Sequence, residues 1–102
     1  MAILHTINQS PKHSSIWNKM LHLLNAGDSL LLIEDACYAS TQAVLVRRLT
    51  ELSETRSIQL FTLKPDAEAR GIPNAKPFKE IDYSGFVSLA AQTEKTISWC
   101  SE

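Results

Sequence analysis

Short apolar runs alternate with helix-spaced apolar positions along the whole sequence, and this alternation constrains the fold more than any other feature. Ala2 to Ile7 is rich in β-formers, and Asn8, Ser10 and Pro11 end it, as in a first strand. Ser14 or Ser15 is placed to cap a helix carrying Ile16, Trp17, Met20, Leu21, Leu23 and Leu24. Gly27 then offers a left-handed stop. Ser29 to Ile33 reads as a strand covered on both faces. A second helix follows from about Tyr38, with Asp35 as its cap. Its Ala43, Leu45, Leu49 and Leu52 turn inward, while Arg47, Arg48 and Glu51 face water. Ile58 to Leu63 is a third buried strand. Pro65 suits a first helical position, and Asp66 to Arg70 forms a short helix closed by Gly71. After a loop from Ile72 to Pro77, Phe78 to Ile81 reads as a fourth strand. Asp82 or Ser84 can cap a helix containing Phe86, Val87, Leu89 and Ala90, and Thr96 to Trp99 is a last short strand.

Strands alternating with helices predict an α/β fold: one three-layer α/β/α domain over residues 1–102, around a mostly parallel sheet of about five strands. The pattern leaves the strand order open. A chain of 102 residues hides roughly 65% of its unfolded surface, enough for one core without a metal or disulfide. Functional groups in such sheets gather beyond the carboxyl ends of the strands. Here those ends are Asn8 to Ser10, Glu34 to Tyr38, Lys64 to Asp66 and Asp82 to Ser84.

Charge and cysteine content narrow the chemistry. Ten Lys+Arg against eleven Asp+Glu give a formal charge of −1, without the basic excess that phosphate contacts require. Direct nucleic-acid binding by this chain is therefore not expected. Arg47, Arg48 and Arg56 read as a solvated helix face. Leu30 to Ile33 is far shorter than the roughly 20 residues that span a bilayer, so no membrane role is expected. Two distant cysteines do not make a disulfide framework, and both are expected as free thiols in a reducing cytoplasm.

Cys37 is the one thiol candidate, just past the second strand at the start of a helix, where a dipole favours thiolate. Glu34 and Asp35 precede it and oppose ionisation, and free cysteine is also a common buried hydrophobe. Cys100 reads as an incidental thiol. His5, His13 and His22 form no i, i+4 pair and have no cysteine at ligand spacing, so no metal is expected. Gly27, Gly71 and Gly85 are isolated, which leaves no phosphate loop and no cofactor site. Adjacent carboxylates on a strand point to opposite sides, so Glu34 and Asp35 are not an acid/base dyad. The residues describe an α/β domain without a self-sufficient active site.

Several segments together resemble one family. Ile3 to Pro11 resembles the "LHTVNKSP" opening of the TusB/DsrH family, and Gly27 to Ala39 resembles its "GDAVLLIEDGVYA". Leu63 to Gly71 resembles "LxPDLxARG", Ile81 to Leu89 resembles "IDYxGFVxL", and Trp99 matches a near-terminal Trp. The ordered set covers nearly the whole chain.

The resemblance implies a DsrEFH-like fold. It also implies a non-catalytic subunit of a TusBCD-type sulfur relay, which passes persulfide sulfur towards 2-thiolation of the tRNA wobble uridine. Its partners would be TusC- and TusD-like subunits in a heterohexamer, with the relay cysteine in the TusD/DsrE-type sister. Some DsrH-type members carry a cysteine in the first helix where this chain has Met20, which favours the TusB branch over a DsrH-like subunit of a sulfur-oxidation complex. Cys37 falls where the family pattern has an apolar residue, so no family role transfers to it. Competing expectations are an independent sulfurtransferase using Cys37 and an unrelated α/β binding or regulatory domain.

Overall fold

The computed structural model describes residues 2–100. Five parallel strands form one sheet: β1 (Ile3–Ile7), β2 (Ser29–Leu32), β3 (Gln59–Leu63), β4 (Lys79–Ile81) and β5 (Lys95–Trp99), in the order β4-β3-β2-β1-β5. Four α-helices connect them: α1 (Ser14–Leu23), α2 (Ala43–Arg56), α3 (Lys64–Ala69) and α4 (Tyr83–Gln92). From β1 to β4 the chain steps steadily in one direction. Right-handed crossovers therefore put α1, α2 and α3 on one face of the sheet. The connection from β4 to β5 runs back across the sheet, so the same handedness sends α4 to the other face.

Side-chain alternation divides the core accordingly. Ile7, Leu30, Leu32 and Leu60 bury against Trp17, Met20 and Leu21 of α1, Leu45 and Leu49 of α2, and Ala67 of α3. Leu4, Leu31, Phe61 and Leu63 meet Phe86, Leu89 and Ala90 of α4. All of β2 is buried, as its unbroken leucines predict for a central strand. Gly85 has a steric reason: a Cβ there would sit 2.9 Å from the Ile81 Cβ, so only glycine lets α4 turn this closely over β4. Asp82 caps α4 by accepting the Gly85 N–H at 2.8 Å, and Gly71 (φ +66°) follows α3 as expected.

The local expectations that fail do so for physical reasons. Ser14 and Ser15 lie inside α1 rather than capping it, and His13 occupies the cap without a side-chain bond. α1 ends at Leu23, so Gly27 (φ +86°) shapes the turn into β2 and stops no helix. A 3₁₀-helix from Glu34 to Thr41 delays α2 to Ala43. Ala43, at the first turn of α2, is consequently exposed rather than turned inward. Leu23 and Val87, read from spacing as part of apolar helix faces, are 55% and 70% exposed.

One polar cluster crosses the core. Asp28, fully buried before β2, accepts the amides of Ile3 (3.0 Å) and Asn25 (2.9 Å) and the Nε2–H of His5 (3.0 Å). The indole N–H of Trp99 points at His5 Nδ1 at 3.1 Å. An indole only donates, so Nδ1 is the acceptor and the proton sits on Nε2, facing Asp28. Burial alone would raise the Asp28 carboxyl. The bonds from Asn25, Ile3 and His5 outweigh it and hold the group below its ordinary 3.8. A depressed folded value adds stability that is present above about pH 4 and lost as pH falls through that lower value. Asp28→Asn, which sets an amide NH2 against one of these three donors, is expected to lower unfolding stability by about 2 kcal/mol in urea titrations at pH 7. It is also expected to flatten the acid limb of the stability–pH curve that the wild type shows below about pH 4.

Candidate functional site

All five strands point the same way, so their carboxyl ends form one edge. The loop after β1 brings Ser10, Lys12 and His13 there. Together with Asp35, Tyr38, Thr41 and Gln42 they line an open cleft of about 490 Å³. After β3, Lys64–Asp66 begins α3, and after β4, Asp82–Tyr83 begins α4. β5 delivers Cys100 to the same edge, since the Asn8 N–H donates to the Trp99 carbonyl. Strand order, not sequence spacing, puts Cys100 beside the end of β1, and the thiol is exposed.

The 3₁₀-helix and α3 hold each other at this edge. Asp66 accepts the Glu34 N–H at 2.7 Å, and Glu34 takes a left-handed φ of +49° to present it. Arg70 Nε donates to Asp35 Oδ1 at 3.0 Å, and its Nη1 donates to the Asp66 carbonyl at 3.1 Å. Asp35 therefore braces two segments instead of capping α2. The Asp35 contact also strengthens the hold of the Arg70 guanidinium on its proton. Glu34 enters this brace through its main-chain N–H and Asp35 through its carboxylate.

Cys37 lies inside this brace. It is fully buried and its Sγ donates to the Leu32 carbonyl at 3.5 Å. Burial, with help from the Asp66 charge, pushes the thiol up to about 11. A helix start should favour thiolate, but the short 3₁₀-helix turns this side chain into the core, where the charged form has no solvation. The sulfur is not an accessible nucleophile in the folded chain. Met20, on the inner face of α1, is likewise fully buried.

The histidines are dispersed. His5 belongs to the buried network, His22 Nδ1 donates to the Asn18 carbonyl at 2.8 Å, and His13 lies at the cleft. No group of three or more His, Cys, Asp or Glu side chains that could hold a metal is found among the described residues. Arg47 shares its surface with Glu51 and Glu54, which offset its charge. Among the described residues no helix is long and apolar enough to cross a membrane. Thiol labelling resolved by mass spectrometry is expected to modify Cys100 at pH 8 while Cys37 lags by about two orders of magnitude until denaturant is added. Equal rates would contradict the buried geometry.

A family model described as DsrH-like protein matches residues 9–96. Protein TusB of an Enterobacter species is 34% identical over 99 residues, spanning 95% of this chain and 100% of that protein. Protein TusB of Klebsiella pneumoniae is 32% identical with the same coverage, and Protein TusB of Pectobacterium parmentieri is 30% identical over 100 residues. Among solved structures, the ychN protein from E. coli superposes with a TM-score of 0.70 at 15% identity, covering 96% of this chain and 98% of that one, a likeness of fold. Family model and full-length relatives agree with the ordered sequence blocks, and the chain belongs to the DsrH-like family that includes Protein TusB.

Proposed function

We propose that this chain is a non-catalytic subunit of a TusBCD-type sulfur relay in the cytoplasm. It works within a heterohexamer with TusC- and TusD-like partners, and the complex passes persulfide sulfur towards 2-thiolation of the tRNA wobble uridine. One observation carries the reading. In a chain of this family, the thiol nearest the middle of the functional edge is sealed in the core, pushed up to about 11 and braced from above by Asp35, Asp66 and Arg70. A relay thiol must be exposed and ionisable to accept and release sulfane sulfur. Cys37 meets neither condition, which supports the assignment of the transferring cysteine to a TusD-type partner; Cys100, the exposed thiol of this edge, is tested beside it below. The buried Met20 in the first helix favours the TusB branch over a DsrH-like subunit.

Co-expression with TusC- and TusD-like proteins, followed by native mass measurement, is expected to give one complex containing all three chains. A chain that stays separate under mild salt would defeat the reading. In the assembled complex, Cys37→Ser and Cys100→Ser, singly and together, are expected to leave tRNA thiolation within about twofold of wild type. Lost thiolation with the complex intact would make this chain a sulfurtransferase in its own right.

Nucleic-acid contact is a separate matter. With a formal charge of −1 and Glu51 and Glu54 beside Arg47, the chain offers little pull on a polyanion. Titration of the isolated chain with labelled tRNA near physiological salt is expected to show no saturable binding. Micromolar binding that Arg47→Ala and Arg48→Ala weaken would reverse this.

A further inference from the structure

The two edges of the sheet are built differently. β4 is three residues long, follows Pro77 and carries Lys79 and Glu80, features that blunt an edge against further pairing. β5 runs for five residues, Lys95–Trp99, pairs with β1 on one side and is open on the other. The Trp99 carbonyl accepts from Asn8, so the main chain of Trp99 faces β1. Alternation along the strand then turns the N–H and C=O of Thr96 and Ser98 outward, where no strand among the described residues meets them.

The side chains of Lys95, Ile97 and Trp99 share the α1 side of the sheet. There Trp99 lines an open cavity of about 500 Å³ with Asn18, Lys19, His22 and Leu23. Leu23 is 55% exposed in it, a large apolar side chain without a covering partner. No carboxylate lines the cavity. Neither Lys19 nor Lys95 forms an ion pair among the described residues.

We infer that the open edge of β5 accepts an extended segment of a partner protein as an added strand, with an apolar side chain seated against Leu23 and Trp99 and carboxylates facing Lys19 and Lys95. Each feature specifies one property of the occupant. Unpaired main-chain groups select an extended backbone, the adjoining cavity selects an apolar side chain on one face, and the unmatched lysines select acid. A second copy offering its own β5 would bring Lys95 again, beside the Lys19 of the groove, so charge favours a different, acidic partner. The inference stands apart from the relay reading, because it concerns an edge that the carboxyl-end site does not use.

The probe is a blocked peptide of about eight residues with threonine at every second position and leucine and glutamate sharing the positions between, so that both face the α1 side; its length matches a strand of ordinary size. It is titrated into the full chain while the Thr96 and Ser98 amides are followed by NMR. Saturable shifts at both amides are expected, with their hydrogen exchange slowed by about tenfold or more. The same peptide with lysine for glutamate is expected to bind at least about fivefold more weakly. Leu23→Asp and Thr96→Pro, one in the cavity and one on the outward backbone, are each expected to weaken binding by at least about fivefold while far-UV circular dichroism stays unchanged. If one variant fails to fold, the other and the lysine peptide decide. Absence of saturable binding, indifference to peptide charge, or protection of Thr96 and Ser98 that grows with protein concentration and without peptide would overturn the inference. The last outcome would assign the edge to a second copy.

Discussion

The buried carboxylate of Asp28 is the contact on which the rest of the sheet depends. A charge with no exposure to water is tolerable only when every lone pair is answered, and here two main-chain amides and an imidazole answer it. The amides come from the start of β1 and from the turn before β2. One side chain thus fixes how these two central strands lie against each other. The imidazole relays the constraint: Nε2 is committed to Asp28, Nδ1 is left as an acceptor, and Trp99 fills it from β5. The His5 and Trp99 rings lie nearly parallel, with centroids 6.3 Å apart, the side-by-side placement their N–H···N bond calls for. Three strands are tied by groups that cannot be replaced one at a time without leaving another polar atom unmatched.

The carboxyl edge of the sheet has its own hierarchy. Asp35, Asp66 and Arg70 lie at the surface, and their bonds are individually worth little in water. Their effect is geometric. By holding the 3₁₀-helix onto α3 they keep Cys37 beneath both, and the thiol's resistance to ionisation follows from that cover. The segments resembling "IED" and "PDLxARG" are the two halves of this brace, which joins the 3₁₀-helix to α3.

The layer architecture was legible in the sequence because it follows from period alone: four-residue apolar runs such as Leu30 to Ile33 against helical spacing such as Leu45, Leu49 and Leu52. The α4 cap was legible only as a choice between Asp82 and Ser84 before an apolar helix, and the fold selects Asp82. What depends on distant partners was not legible. Asp35 looks like a cap in one dimension and finds Arg70 in three. His5 reads as a lone histidine in a strand until strand order brings Trp99 next to it. Cys37 follows a strand as a reactive thiol should, and only the tightness of the 3₁₀ turn, which propensity does not encode, sends it inward. Strand order itself carries no local signal, and with it went the position of Cys100 at the carboxyl edge.

The pairing of β1 with β5 has a consequence for how the chain is made. The Thr6 hydroxyl meets Ser98 across 92 positions, among the longest separations in the fold. At ordinary synthesis rates of roughly 5–20 residues per second, β5 emerges some 5–18 s after β1. Until then β2 can dock, but the other flank of β1 stays unpaired, with His5 short of its indole donor. Contacts of such high order close slowly and leave a nascent sheet open to mispairing. β5 is therefore the last strand made, and the outer flank of β1 can close only once it has arrived.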